Sequence, residues 1–200
     1  IVLPSDYETY SLFSVRMFDI IRRFSPDVEE YSIDEAFVDL TGLRRIHHTG
    51  YREISGQIQD AVQKELDLSV SCGVSLSKVL AKVGSKLNKP HGLTAIAGNR
   101  IHIVLAGVPV EKIWGIGPNT SALLQKYGIR TALDFARKNE LFVQKHLSRP
   151  YQIIWNELNG RPILRVETES KTEYQSISKA RTFTPPSADK EFIFGQLSGN

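Results

Sequence analysis

Apolar residues at Tyr10, Phe13, Met17, Ile20, Ile21 and Phe24 recur at helical spacing and predict a helix over 7–24, stopped by Ser25-Pro26. Two short apolar stretches, 28–31 and 36–40, flank Ser32-Ile33-Asp34-Glu35 and predict a β-hairpin with an acidic pair at its tip. Ile54, Ile58, Ala61, Val62 and Leu66 predict a second helix over 51–66. Over 68–75 the period changes to two, so Leu68, Val70, Cys72 and Val74 share one face of a strand. A helix over 77–87, ended by Asn88-Lys89-Pro90, and a strand over 93–97 follow. Its apolar face, Val79, Leu80, Val83 and Leu87, is expected to pack on the sheet. One more strand ahead of the first helix would make this order β-α-β-β-α-β with an extra α-β. The expected class is therefore α+β, an incomplete ferredoxin-like sheet with helices on one face.

After Pro109 the pattern changes to short helices punctuated by glycine, over 110–113, 118–127, 131–137 and 140–159. Gly160-Arg161-Pro162 closes this small all-helical region. Residues 166–180 are polar and carry no stripe, as a linker would, and 181–200 begin something new. The expected division is 1–108, 109–165 and 166–200. The abrupt apolar start, Ile1-Val2-Leu3, and the uncapped stretch 195–200 lead us to expect a segment cut from a longer protein.

Composition narrows the class. Of 200 residues, 41 % are hydrophobic and 24 % charged, as in globular proteins. No apolar run reaches the roughly 20 residues of a membrane helix, and no basic-then-apolar leader opens the chain. Cys72 is the single cysteine, so disulfides within the chain are excluded; an inert buried thiol in a reducing, cytoplasmic compartment is expected. The net charge of +3 says little, but its distribution says more: acids concentrate early and bases late, with no acid between Asp67 and Glu111. That suits an acidic or metal site followed by a surface for a polyanion.

Three segments could carry chemistry. Asp34 and Glu35 at a hairpin tip suit a hard cation such as Mg²⁺, which takes one or two carboxylates plus phosphate oxygens; an exposed acidic turn is the plain alternative. Lys78, Lys82 and Lys86 are spaced by four along one helix face, with Lys89 just beyond it and no acid near in sequence; they suit phosphates, or are a solvated face. Gly115-Ile116-Gly117-Pro118 makes a tight turn into a helix start, where main-chain N–H groups can hold a nucleic-acid backbone; this is a helix-hairpin-helix pattern, with an ordinary inter-helix turn as the alternative. Phe13, Phe24, Trp114, Phe135 and Trp155 lie on apolar stripes and are expected in the core. His47-His48 lies in a loop with no third ligand nearby in sequence.

Together these pieces resemble the Y-family (lesion-bypass) DNA polymerases. YSIDEAFVDLTG resembles the family's Ser-x-Asp-Glu segment, and SCGVSLSKVLAKVGSKLNKPHGLTAI the palm segment after it. VEKIWGIGPNTSALLQKYGIRTALDFA resembles the thumb, and QSISKARTF the linker into the little-finger domain. The type is bacterial polymerase IV-like, or DinB-like. The resemblance implies translesion synthesis in DNA repair: nucleotidyl transfer from dNTPs to a primer 3′ end by two-metal catalysis. It implies Asp34 and Glu35 as Mg²⁺ ligands, Ser32 in support, Lys89 on the incoming triphosphate, and Gly115, Ile116 and Gly117 on the DNA backbone. Lys78, Lys82 and Lys86 would assist on DNA. Primer–template DNA and dNTP are the implied partners of a monomer, with a sliding clamp engaged through parts outside this chain. The family's first metal-binding Asp, its fingers and most of its little finger have no counterpart here, so negligible polymerase activity is expected from this chain alone. Ser77 stands where many relatives have Asn, and Lys86 where many have Asp. A helix-hairpin-helix module that only holds DNA is a second reading. A palm-type nucleotide cyclase is a third, weakened by Tyr31-Ser32-Ile33 in place of Gly-Gly before the acidic pair.

Overall fold

The computed structural model describes residues 5–169 and 185–198. The chain divides into two units, 1–168 and 169–200. In the first, α1 (Tyr7–Arg22) starts at Asp6, whose carboxylate accepts the Thr9 N–H at 3.0 Å. Met17, Ile20 and Ile21 are buried as the stripe requires, joined by Phe18. Tyr10, at the other end of the predicted stripe, is 61 % exposed, because the core begins only at Met17, about two turns later. Helix α2 (Tyr51–Leu66) packs on α1 through Ile54, Ile58 and Val62, and Val28 of β1 (Val28–Ser32) completes this first core.

The predicted order of elements is present from α1 to β4. Its assembly differs from the expectation in two ways. Among the described residues the strands form two two-stranded sheets: β1 pairs antiparallel with β2 (Glu35–Val38), and β3 (Cys72–Val74) pairs parallel with β4 (Leu93–Ala95). Helices also flank both faces of β3–β4, not one. Successive strand residues point to opposite faces. Cys72 meets Ser55 of α2, while a Cβ on Gly73 would lie 1.9 Å from the Ala81 carbonyl oxygen of α3 (Lys78–Leu87). Only glycine permits that approach. Burial pushes the Cys72 thiol up in pKa, against its hydrogen bond to Ser55, as an inert thiol requires.

Helix α3 therefore has a sheet on one side and a second core on the other. Val79, Leu80 and Val83 are buried there with Leu105 of α4 (Ile101–Ala106), Leu124, Phe135, Val143, Trp155 and Leu158. This face was expected to pack on the sheet; instead the Ala81 and Ser85 side of α3 lies against Gly73 of the sheet, and Leu87, the last of the stripe, is 45 % exposed because the helix runs past the core at its last turn. Each of the large side chains at 0 % exposure contributes about 1.5–3 kcal/mol by leaving water. The helical region consists of α5 (Pro118–Lys126), α6 (Ala132–Ala136), α7 (Glu140–His146) and α8 (Arg149–Leu158). The single helix predicted over 140–159 is two, since Pro150 can stand only in a first turn. The helix predicted at 110–113 is one 3₁₀ turn, Val110–Lys112.

In the second unit, α9 (Lys190–Ser198) is capped by Asp189, which accepts the Phe192 N–H at 2.7 Å. The linker-like stretch QSISKARTF lies outside the described residues. No helix of the described residues is long and apolar enough to cross a membrane.

Candidate active site and nucleic-acid interface

Strands β1 and β2 are joined by Ile33 and Asp34, neither of which has positive φ. Two-residue hairpin turns usually need left-handed residues to match strand twist. Here the register shifts between Glu30 and Ser32, leaving Tyr31 as a bulge that absorbs the mismatch and redirects its ring. Asp34 is exposed, and the Ser32 hydroxyl donates to its carboxylate at 2.9 Å. Glu35, opposite Ser32 in register, is held in an ion pair by Lys82 of α3. The two adjacent carboxylates thus differ: one is free toward solvent, the other fixed by a partly buried ammonium.

The lysine row was expected to lack acids, and in space it does not. Lys78, with 10 % of its side chain exposed, pairs with Glu29 of β1. It also donates to the Arg165 carbonyl at 2.9 Å and sits 4.8 Å from the centre of the Phe37 ring. Glu29 in turn accepts the Glu167 N–H at 2.7 Å. Lys78 is therefore a strut between the hairpin, α3 and the segment leaving α8, while Lys82 positions Glu35. Sequence distance hid these pairs: Glu29 and Lys78 are 49 positions apart. Lys86 makes no ion pair among the described residues. Partial burial, then the Lys82 ammonium, lowers its pKa, with Lys89 and Lys112 adding and Glu35 opposing. Lys82, Lys89, Lys112 and Glu35 thus all act on Lys86, while Glu35 itself is paired with Lys82, and Lys89 is exposed.

At 115–117 the chain turns with Gly115 at φ +88°, where a Cβ would come within 2.7 Å of the Ile154 Cδ1. Ile116 points inward at 6 % exposure. Gly117 is the N-cap of α5 in extended backbone, with open space where a side chain would stand. No side chain caps α5, and the Gly117 N–H has no partner among the described residues. A helix start with free amides and nothing in front of it can accept an anionic oxygen.

Trp114, expected in the core, is only half-buried. Its ring lies 5.3 Å from those of Tyr31 and Phe37, joining the 115–117 turn to the acidic hairpin. Phe135 and Trp155 are buried as expected, and Phe13 and Phe24 are half-buried. The His47 Nε2 lies 2.8 Å from the Phe24 carbonyl oxygen.

The sequence reading missed Glu157, which is 0 % exposed. Its carboxylate accepts the N–H groups of Val79 at 3.1 Å, Ile163 at 2.7 Å and Leu164 at 2.8 Å. Ser77 Oγ donates to its carbonyl at 2.7 Å. Glu157 therefore fastens the start of α3, which carries Lys82, to α8, which carries Ile154 under Gly115. Its one visible signal was an acid between Ile154 and Leu158 on a buried stripe.

Among the described residues no three His, Cys, Asp or Glu side chains gather as a metal site. The Asp34–Glu35 pair supplies hard oxygens on one exposed edge, a set that fits Mg²⁺ only with further oxygens from substrate or water.

Residues 1–86 match the family described as IMS, impB/mucB/samB. The chain is 33 % identical over 184 residues to a protein named DNA polymerase IV from Ureaplasma parvum serovar 3, covering 92 % of this chain and 51 % of the relative. It is 32 % identical over 195 residues to DNA polymerase IV of Bacillus velezensis, covering 98 % and 47 %. It is similar in fold to a crystal structure of a DinB family error-prone DNA polymerase from Sulfolobus solfataricus: TM-score 0.73, 25 % identity, covering 86 % of this chain and 52 % of that one. The chain spans about half the length of the curated relatives it matches.

Proposed function

We infer that this chain, a homologue of the Y-family DNA polymerases, contributes the palm (1–108) and thumb (109–165) of a translesion DNA polymerase, followed by the linker and start of a little-finger domain (166–200). The carrying observation is that one compact unit presents an exposed Asp34 carboxylate beside the Lys82-paired Glu35 and a helix turn with free amides, joined through the Tyr31, Phe37 and Trp114 rings. The first faces a metal and a nucleotide; the second grips DNA backbone without reading sequence. A ferredoxin-like palm follows if a further strand joins the two small sheets, and the 3₁₀ turn with α5 serves as the helix-hairpin-helix.

Asp34 and Glu35 hold Mg²⁺, which when bound neutralises phosphate charge and activates the primer hydroxyl. Ser32 orients the Asp34 carboxylate and Lys82 fixes Glu35. Lys89, beside Lys86, meets the triphosphate of the incoming dNTP as a point charge. The Gly115-Ile116-Gly117 turn positions the primer–template through its free main-chain amides, the Ile116 N–H being already given to the Ile113 carbonyl at 3.1 Å, and charge neutralisation with alignment supplies the rate. Of the α3 row, Lys86 is the lysine left to meet a phosphate. The same reading makes the protein a cytoplasmic monomer in the DNA damage response, with any sliding clamp bound elsewhere.

Primer extension tests this. A protein of the relatives' full length that includes these residues extends a primer with Mg²⁺, and Asp34→Asn or Glu35→Gln abolishes extension. This chain alone gives negligible incorporation. Unimpaired extension by the Asp34→Asn protein would contradict the assignment.

A further inference from the structure

Tyr31 and Trp114 lie between the two parts of the proposed site, three residues before Asp34 and one before Gly115. Their environment differs from that of the other tryptophan. Trp155 is 7 % exposed, and its indole N–H donates to the carbonyls of Ala136 and Lys138 at 3.1 Å. The Trp114 N–H has no partner among the described residues and opens to water, since no half-buried side chain there keeps an unpaired buried nitrogen. The Tyr31 hydroxyl has no partner among them either, and that residue is 47 % exposed. The bulge turns Tyr31 toward Trp114. An aromatic pair packed at one end on Phe37, with polar tips left in solvent, is the usual makeup of a contact surface.

We propose that Tyr31 and Trp114 form an aromatic contact for the sugar–base surface of the primer strand near its 3′ end. A strand whose backbone rests on 115–117 and whose end reaches Asp34 and Glu35 passes over these rings. They supply apolar, salt-insensitive contact beside amides and lysines that read only charge. This rests on the polymerase reading above.

The test is a titration of the whole chain with primer–template, recording anisotropy of the DNA and tryptophan emission together. The chain has two tryptophans, and Trp114→Phe assigns the signal. Quenching is expected in the native chain and absent in Trp114→Phe, and it is lost when the primer's last nucleotide is abasic. Tyr31→Ala and Trp114→Ala weaken binding about fivefold each at an unchanged salt slope. An unaltered urea midpoint for Trp114→Phe shows that the fold is intact. DNA binding without quenching, with native affinity in both alanine variants, overturns the proposal and leaves the rings as a contact within the protein. Absence of any binding at low salt overturns the polymerase reading as well.

Discussion

The turn at 33–34 and the turn at 115–117 do their work with opposite parts of the chain. The first displays side chains, carboxylate acceptors at the end of a hairpin whose strands pair from Val28↔Val38 to Ser32↔Glu35 around the Tyr31 bulge. The second displays backbone, amide donors on a turn whose one side chain, Ile116, is turned inward. The lesson concerns tolerance. Substituting the carboxylates changes chemistry and leaves the fold, whereas a side chain at Gly115 disturbs the fold before it touches a ligand. Gly117 separates the two effects, because a side chain there meets only solvent.

The largest expected effect lies at the support shared by both turns. Glu157→Ala leaves three backbone N–H groups without their acceptor. The Val79 N–H is buried and the other two are part-buried; at about 1–3 kcal/mol for a buried unsatisfied group and less for the others, we expect a loss of ~3 kcal/mol in urea unfolding. An effect below ~1 kcal/mol would break the view that α3 and α8 are fastened there. Gly115→Ala comes next, costing about 1–3 kcal/mol in the same assay, since φ +88° and the Ile154 contact both oppose a Cβ. Asp34→Asn is expected to stay within ~0.5 kcal/mol of the native stability while abolishing divalent-cation binding measured by calorimetry. A stability loss as large as that of Gly115→Ala would erase the contrast between the turns.

The hairpin, the α3 helix, and the 115–117 turn were legible because each is a local pattern: an alternation, a stripe, a pair of glycines. What was not legible depends on segments far apart in sequence. Lys78 and Lys82 looked unpaired because their partners, Glu29 and Glu35, come from the hairpin. Trp114 looked like core because an apolar stripe does not say that the final contact is with another rim aromatic. The split between α7 and α8 was readable in principle from Pro150. The placement of α2 and α3 on opposite faces of β3–β4 was hinted at by Gly73, whose meaning emerges only once Ala81 lies against it.

The most direct test of the central claim is primer–template binding by this chain across a salt series, native beside Gly117→Leu. The account predicts native binding that weakens steeply with salt, as phosphate contacts require. It predicts marked weakening in Gly117→Leu with a stability loss of no more than about 1 kcal/mol, the cost of a poorer N-cap, because the added side chain fills the open space before the α5 amides. Native-like affinity in Gly117→Leu, or no binding at low salt by a chain shown to be folded, would contradict it.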